Sequence, residues 1–289
     1  METLKLTTPV EASESSVKVS FKDRITILGS CFADSIGSRM SALGFDVCVN
    51  PFGTLYNPMS ICNSAARMAA GIPFTMEQCV EMGAGAGLFC SFSHHTSFAR
   101  RTPEEFLENA NRALESASEA WKGSTKVIIT LGTSWCYEHI ATGEIVSNCL
   151  KIDRKEFRRR RLSVAEVASM LKSLIARNGG KEFIFTVSPI RHMKDGAHGN
   201  QLSKSTLLLA IDEVCRAFPD RTEYFPSFEI VMDELRDYRF YAEDMVHPSE
   251  QAADYIWRRF ADSVIPEDEK VTLAERVREL KRSMHREMH

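Results

Sequence analysis

"ITILGSCFADSIG", Ile25 to Gly37, joins a strand to a helix with no spacer. Ile25 to Leu28 suit a buried strand and run straight into Gly29-Ser30-Cys31. Phe32, Ile36, Met40 and Leu43 then recur at helical spacing. A strand that ends where a helix begins aims the free N–H groups of the helix's first turn at whatever occupies the junction. Here a hydroxyl and a thiol stand side by side at that point.

Outward from this junction the same alternation repeats. "FDVCV" (45–49) reads as a second strand stopped by "NPFG", and "PMSICNSAARMAAG" (58–71) as a helix ending in glycine. "TPEEFLENANRALESASEAW" (102–121) is a helix opened by Thr102-Pro103. "TKVIITL" (125–131) is apolar through its middle, as strands covered on both faces are. Helix 163–180, strand 181–187, helix 203–218, a fifth strand-like segment "TEYFPSFEIV" (222–231) and a core helix 248–264 follow. About five strand–helix repeats predict an α/β fold: a three-layer α/β/α sandwich around a mainly parallel five-stranded sheet built from right-handed crossovers. One domain over 1–289 is expected, with insertions at 72–122 and 135–160. A C-terminal helix at about 266–288 carries Leu273, Val277, Leu280 and Met284 on one face.

Composition narrows the function classes. Of 289 residues, 44% are hydrophobic and 26% charged, and the net charge of −3 gives no electrostatic reason for a nucleic-acid or membrane partner. The basic run Arg158–Arg161 reads as a solvated face, with a phosphate patch as the lesser alternative. No basic-then-apolar leader and no membrane-length apolar run are visible. Eight cysteines without a C-x-x-C pair predict free, mostly buried thiols in a reducing cytoplasm. No sequence feature assigns an oligomeric state.

Ligands of parallel sheets bind outside the carboxyl ends of the strands. Those positions hold Gly29-Ser30-Cys31, Asn50–Gly53, Gly132-Thr133-Ser134 and Ser188–His192, and the loop before the last core helix holds Asp244 and His247. A nucleophile candidate and an acid–histidine pair on one rim suit acyl transfer. D-x-x-H occurs twice. Asp244/His247 is favoured because Pro248 fixes a helix start behind it, whereas Gly196 and Gly199 put Asp195/His198 in a flexible loop. "GAGAG" (83–87) has neither phosphate-loop nor dinucleotide spacing, and His94-His95 lacks a metal set. No metal or cofactor is expected. No G-x-S-x-G elbow is present.

"GSCFA" (29–33), with "NPFGTLYNP" (50–58), "TLGTSWCYE" (130–138), "SPIRHMKDG" (188–196), "NQLSKSTLL" (200–208), "YFPSFEI" (224–230) and "DMVHPS" (244–249), resembles the GSCFA family over most of the chain. That family is similar to the SGNH (GDSL-type) hydrolases, which share a flavodoxin-like sandwich. The resemblance implies an esterase or acyl hydrolase acting on a small-molecule or carbohydrate ester, an acetylated carbohydrate among the candidates. Its alternatives are acyl transfer to a sugar or alcohol, or a catalytically silent scaffold binding a carbohydrate or a protein. It puts Cys31 at the serine nucleophile's position, with Ser30 beside it as the other candidate, and makes Asp244 and His247 the rest of the triad. The oxyanion hole would draw on Cys31, Gly53, Thr133 and Ser134. The side-chain amide of the third block is missing, since this chain reads Gly132-Thr133-Ser134. Asn57, Arg191 and His192 become candidate substrate contacts, the last two to a carboxylate or sugar. Relatives carry a histidine after the cysteine of an Asn-Cys-His-Lys segment, where this chain has Leu150.

Overall fold

The computed structural model describes residues 7–11 and 14–287, with side chains up to Ser283. In chain order the first elements are β1 Arg24–Gly29, α1 Cys31–Ala42, β2 Asp46–Val49, α2 Pro58–Ala70, β3 Val80–Glu81, β4 Phe89–Cys90 and α3 Pro103–Gly123. β5 Lys126–Leu131, β6 Trp135–His139, β7 Ile145–Val146, β8 Phe157–Arg161, α4 Val164–Arg177 and β9 Glu182–Val187 follow. The chain continues through α5 Gly196–Ala217, β10 Thr222–Tyr224, α6 Ser227–Glu229, α7 Glu250–Val264 and α8 Lys270–Glu287.

The central sheet runs β10-β9-β5-β1-β2 and every pair in it is parallel. Strand order reverses between β1 and β5, so their carboxyl ends flank the crevice where doubly wound sheets take ligands. Alternation along the strands divides the interior in two. Val127, Ile129 and Leu131 of β5 face a core closed by α2, α3, α4 and α5. Ile128, with Ile25 and Ile27 of β1, faces a second core closed by α1, α7 and α8. This is the three-layer α/β/α sandwich that the strand–helix rhythm predicts.

Several segments differ from the sequence reading. The fifth strand is short: after Tyr224, "PSFEIV" turns into α6 and a π-helical turn at Ile230–Glu234, where Ser227 Oγ donates to the Val187 carbonyl. The 135–160 insertion folds as its own antiparallel sheet, β7-β6-β8. α5 starts at Gly196 and not near 203, which puts His198 on a helix and not in a flexible loop. Within the C-terminal helix, Leu273, Val277 and Leu280 pack on the second core. Met284 lies beyond the described side chains, and residue 288 beyond the described residues. Only Cys90 and Cys136 of the eight free cysteines are fully buried, so the expectation of mostly buried thiols is corrected to mostly half-buried ones. Among the described residues, no helix is long and apolar enough to cross a membrane.

Candidate active site

At the end of β1 the backbone turns at Gly29, whose φ is +143°. A Cβ there would lie 2.2 Å from the Thr130 carbonyl oxygen, so no side chain fits. Ser30 caps α1: it is fully buried, and its Oγ accepts the Phe32 N–H at 3.3 Å. Cys31, the first helical residue, is half-buried and lines a cavity of about 440 Å³. Its Sγ lies 3.4 Å from the Tyr56 hydroxyl. Among the described residues, no acceptor meets the Cys31 N–H.

The 50–57 loop lies across the carboxyl ends of β1 and β5. Leu55 N–H donates to the Gly29 carbonyl, and the Tyr56 carbonyl accepts both the Gly132 and Thr133 N–H groups, at 2.9 and 3.0 Å. Asn50 ties the loop to α1: its Oδ1 accepts the Gly29 N–H and its Nδ2 donates to Asp34. Burial pushes the Asp34 carboxyl up.

On the far side, Asp244 and His247 form a local unit. Asp244 Oδ1 accepts the N–H groups of Val246 and His247, and Oδ2 lies 2.5 Å from His247 Nδ1. These hydrogen bonds hold the carboxylate down at about 2. With Nδ1–H given to Asp244, Nε2 is left as the proton acceptor. Arg191 supports this loop, its N–H donating to the Val246 carbonyl and its guanidinium to that of Met245. Ser249, not Pro248, caps the following helix, its Oγ accepting the Ala252 N–H.

Ser30, Cys31, Asn57, Thr133, Arg191, His192 and His247 all line the one cavity, with Asp244 behind His247. Gly53 and Ser134 do not line it. The Gly53 N–H donates to the Asn50 carbonyl at 2.7 Å, and its φ of +81° leaves no room for a Cβ beside His95. The Thr133 N–H is taken by Tyr56, the Ser134 N–H by Ser203 Oγ at 2.8 Å, and Thr133 Oγ1 also pairs with Ser203. Asn57 spends its side chain on capping α2: Oδ1 accepts the Ser60 N–H, and Nδ2 donates to Ser60 Oγ. No hydrogen bond joins Cys31 Sγ to a His247 ring nitrogen. Asp195, the acid of the rival pair, is bound by Arg159. Leu150 is buried in the first core.

Three supporting residues escape a reading of the sequence alone. Asn200, Ser203 and Lys204 lie at i, i+3 and i+4 on α5 and so share one face. Asn200 Oδ1 accepts the His192 N–H, Ser203 holds the loop after β5, and Lys204 donates to the carbonyls of Gly132 and Ser188 at 2.7 and 2.6 Å. Polar residues that extend the spacing of the helix's apolar stripe, Leu207, Ala210, Ile211 and Val214, are the signal that could have found them. Burial brings Lys204 down to about 7. His192 is brought down to about 4, by burial first and then by Lys204, His247 and Arg159, and so stays neutral near pH 7. Among the described residues, no cluster of His, Cys, Asp and Glu is placed to hold a metal ion.

Fold and site together define a doubly wound α/β protein with a thiol at the topological switch point and an aspartate-held histidine across the cavity. The chain belongs to the GSCFA family, whose family model matches residues 24–260. No curated protein and no solved structure was found to match it.

Proposed function

We propose that the chain is an SGNH-type acyl hydrolase of small esters or thioesters, with Cys31 as nucleophile, His247 as base and Asp244 as the group that orients the imidazole. The observation that carries this reading is the thiol at the N-terminus of α1, facing the same cavity as an imidazole whose Nδ1 is held by a carboxylate. Burial of Ser30 and its capping bond favour the thiol over the hydroxyl.

In the reaction, the Cys31 proton passes to His247 Nε2 as Sγ attacks the carbonyl carbon. The negative charge moves to the carbonyl oxygen, which receives the Cys31 N–H at the positive end of α1 and the Tyr56 O–H. The imidazolium then protonates the leaving alcohol or thiol as its bond to carbon breaks, leaving an acyl-thioester on Cys31. Water, deprotonated by His247, hydrolyses that thioester and regenerates the thiol. Proton transfer needs the His247 loop to close on the thiol, since catalytic hydrogen bonds tighten when substrate arrives.

A second reading, a silent scaffold that binds a carbohydrate or protein partner, draws on the thiol's pairing with Tyr56 in place of the imidazole. Acyl transfer draws on a second cavity of about 400 Å³ beyond Arg191, lined by Phe228, Met232, Tyr238 and Tyr241 and able to take an acceptor. Release of p-nitrophenol from p-nitrophenyl acetate and release of acetate from acetylated sugars, measured for the native protein and His247→Ala, test the proposal. Equal rates in both would remove the catalytic assignment.

A further inference from the structure

Beyond the thiol and the imidazole, the walls of the cavity carry three cations, Arg159, Arg191 and Lys194, and one carboxylate, Asp195. β6 and β8 pair antiparallel with Tyr137 opposite Arg159, and the pleat puts Trp135, Tyr137 and Arg159 on one face. That face lines the cavity. The Arg159 guanidinium lies 4.8 Å from the Trp135 ring centroid and 5.5 Å from that of Tyr137. It is paired with Asp195, whose side chain is only 3% exposed.

Two further cations reach the same space without such a partner. Arg191 rests 4.7 Å from the Tyr241 ring centroid and donates to a carbonyl. Lys194 donates to the Tyr137 hydroxyl at 2.8 Å. Among the described residues, neither lies within ion-pair distance of a carboxylate. Arg159 Nε and Arg191 Nε are also buried with no hydrogen-bond acceptor.

We propose that the substrate carries an oxyanion of its own, a carboxylate or a phosphate, gripped by Arg191 and Lys194 while a ring or other flat face lies on Trp135 and Tyr137. Asp195 keeps Arg159 in place as the backing of that platform. Guanidinium forks suit planar oxyanions, and two uncompensated positive charges repel a cationic ligand. The inference rests on the cavity being the substrate site of the proposed function, and it names the class of ester.

Calorimetric titration of the full chain carrying Cys31→Ala tests it without turnover. Glucuronate, glucose 6-phosphate and glucose share a ring and differ in charge. At least one charged sugar is expected to bind about tenfold tighter than glucose, and the tighter of the two identifies the oxyanion. That preference is expected to shrink in Lys194→Gln and in Arg191→Gln, and to weaken as salt rises. Lys194 is an exposed residue, so Lys194→Gln decides the matter if Arg191→Gln does not fold. Glucose binding as tightly as both charged sugars, no titration by either charged sugar, or a preference unchanged in Lys194→Gln would overturn the proposal. Inactivity toward esters with the charge preference intact would count against the hydrolase reading alone.

Discussion

Tyr56 Oη sits 3.4 Å from Cys31 Sγ, and the same residue's carbonyl accepts the N–H groups of Gly132 and Thr133. One residue therefore both contacts the thiol and occupies the backbone donors that follow β5. Burial and the neighbouring thiol push the phenol up to about 12, so it keeps its proton and can donate near neutral pH. The tyrosine hydroxyl is the side-chain donor that lies beside the thiol.

Tyr56→Phe removes that donor while keeping the ring that packs edge-on against His192. Ester kcat is expected to fall about a hundredfold with KM little changed, the pattern of an interaction made mainly in the transition state. Unchanged kcat would take the hydroxyl out of the oxyanion hole.

Cys31→Ala is expected to abolish ester turnover, whereas Ser30→Ala keeps the thiol and loses a helix cap, costing about 1 kcal/mol of stability. Urea unfolding and p-nitrophenyl acetate turnover on the same two samples check both halves. Full activity in Cys31→Ala with loss in Ser30→Ala would reverse the roles of the two residues.

The Asp244 carboxylate has a folded pKa near 2, below its ordinary 3.8. Its contribution is therefore present above about pH 4 and is lost only as pH falls through 2. The acid limb of the kcat/KM profile above pH 4 should not titrate this group. Asp244→Asn is expected to lower kcat about a hundredfold or more at every pH in the working range, because it loses the carboxylate that fixes the imidazole tautomer. A pH–rate profile of both proteins decides this.

Lys204→Met tests the platform under the site. Lys204 is 1% exposed, and its Nζ bridges the loops after β5 and β9. Removing it leaves two buried carbonyls without this donor, at an expected cost of about 2 to 4 kcal/mol in urea unfolding. A loss below about 0.5 kcal/mol would mean that the carbonyls find other partners.

His94 offers a stability test remote from catalysis. It is fully buried among Phe52, Phe74, Phe98 and Phe106, with Nδ1 2.7 Å from Ser91 Oγ. Burial lowers its pKa from 6.5 to about 3. The unfolded chain binds the proton first, so stability falls as pH drops from about 6.5 toward 3. Between pH 7 and 4.5 the wild type should lose about 2 kcal/mol through this residue, a loss that His94→Leu should lack. Parallel urea titrations at the two pH values measure the difference.

The strands of the central sheet, most helices and the β1–α1 junction were legible in the sequence because each reports a local preference. Apolar runs mark strands covered on both faces, and 3.6-residue spacing marks helix faces. The second half of "TEYFPSFEIV" misled because its apolar residues suit a buried helical turn as well as a strand. Gly196 and Gly199 suggested a loop, but α5 absorbs both within its first turn. The run Arg158–Arg161 looked like one solvated face. Strand pleating splits it, sending Arg159 to the cavity while Arg158 and Arg160 pair with Glu138.

What the sequence determined by itself was short-range: the apolar runs of the central strands, the turn at Gly29, and the Asp244–His247 pair, whose members are close enough along the chain to meet without help from the rest of the fold. Only the tertiary structure decided which of two adjacent side chains faces the cavity, which donors remain free there, and which cation has a carboxylate. Those outcomes depend on contacts such as Ser134 with Ser203 and Arg159 with Asp195, separated by 69 and 36 positions. Packing of whole layers brings such groups together, and local spacing carries no record of it.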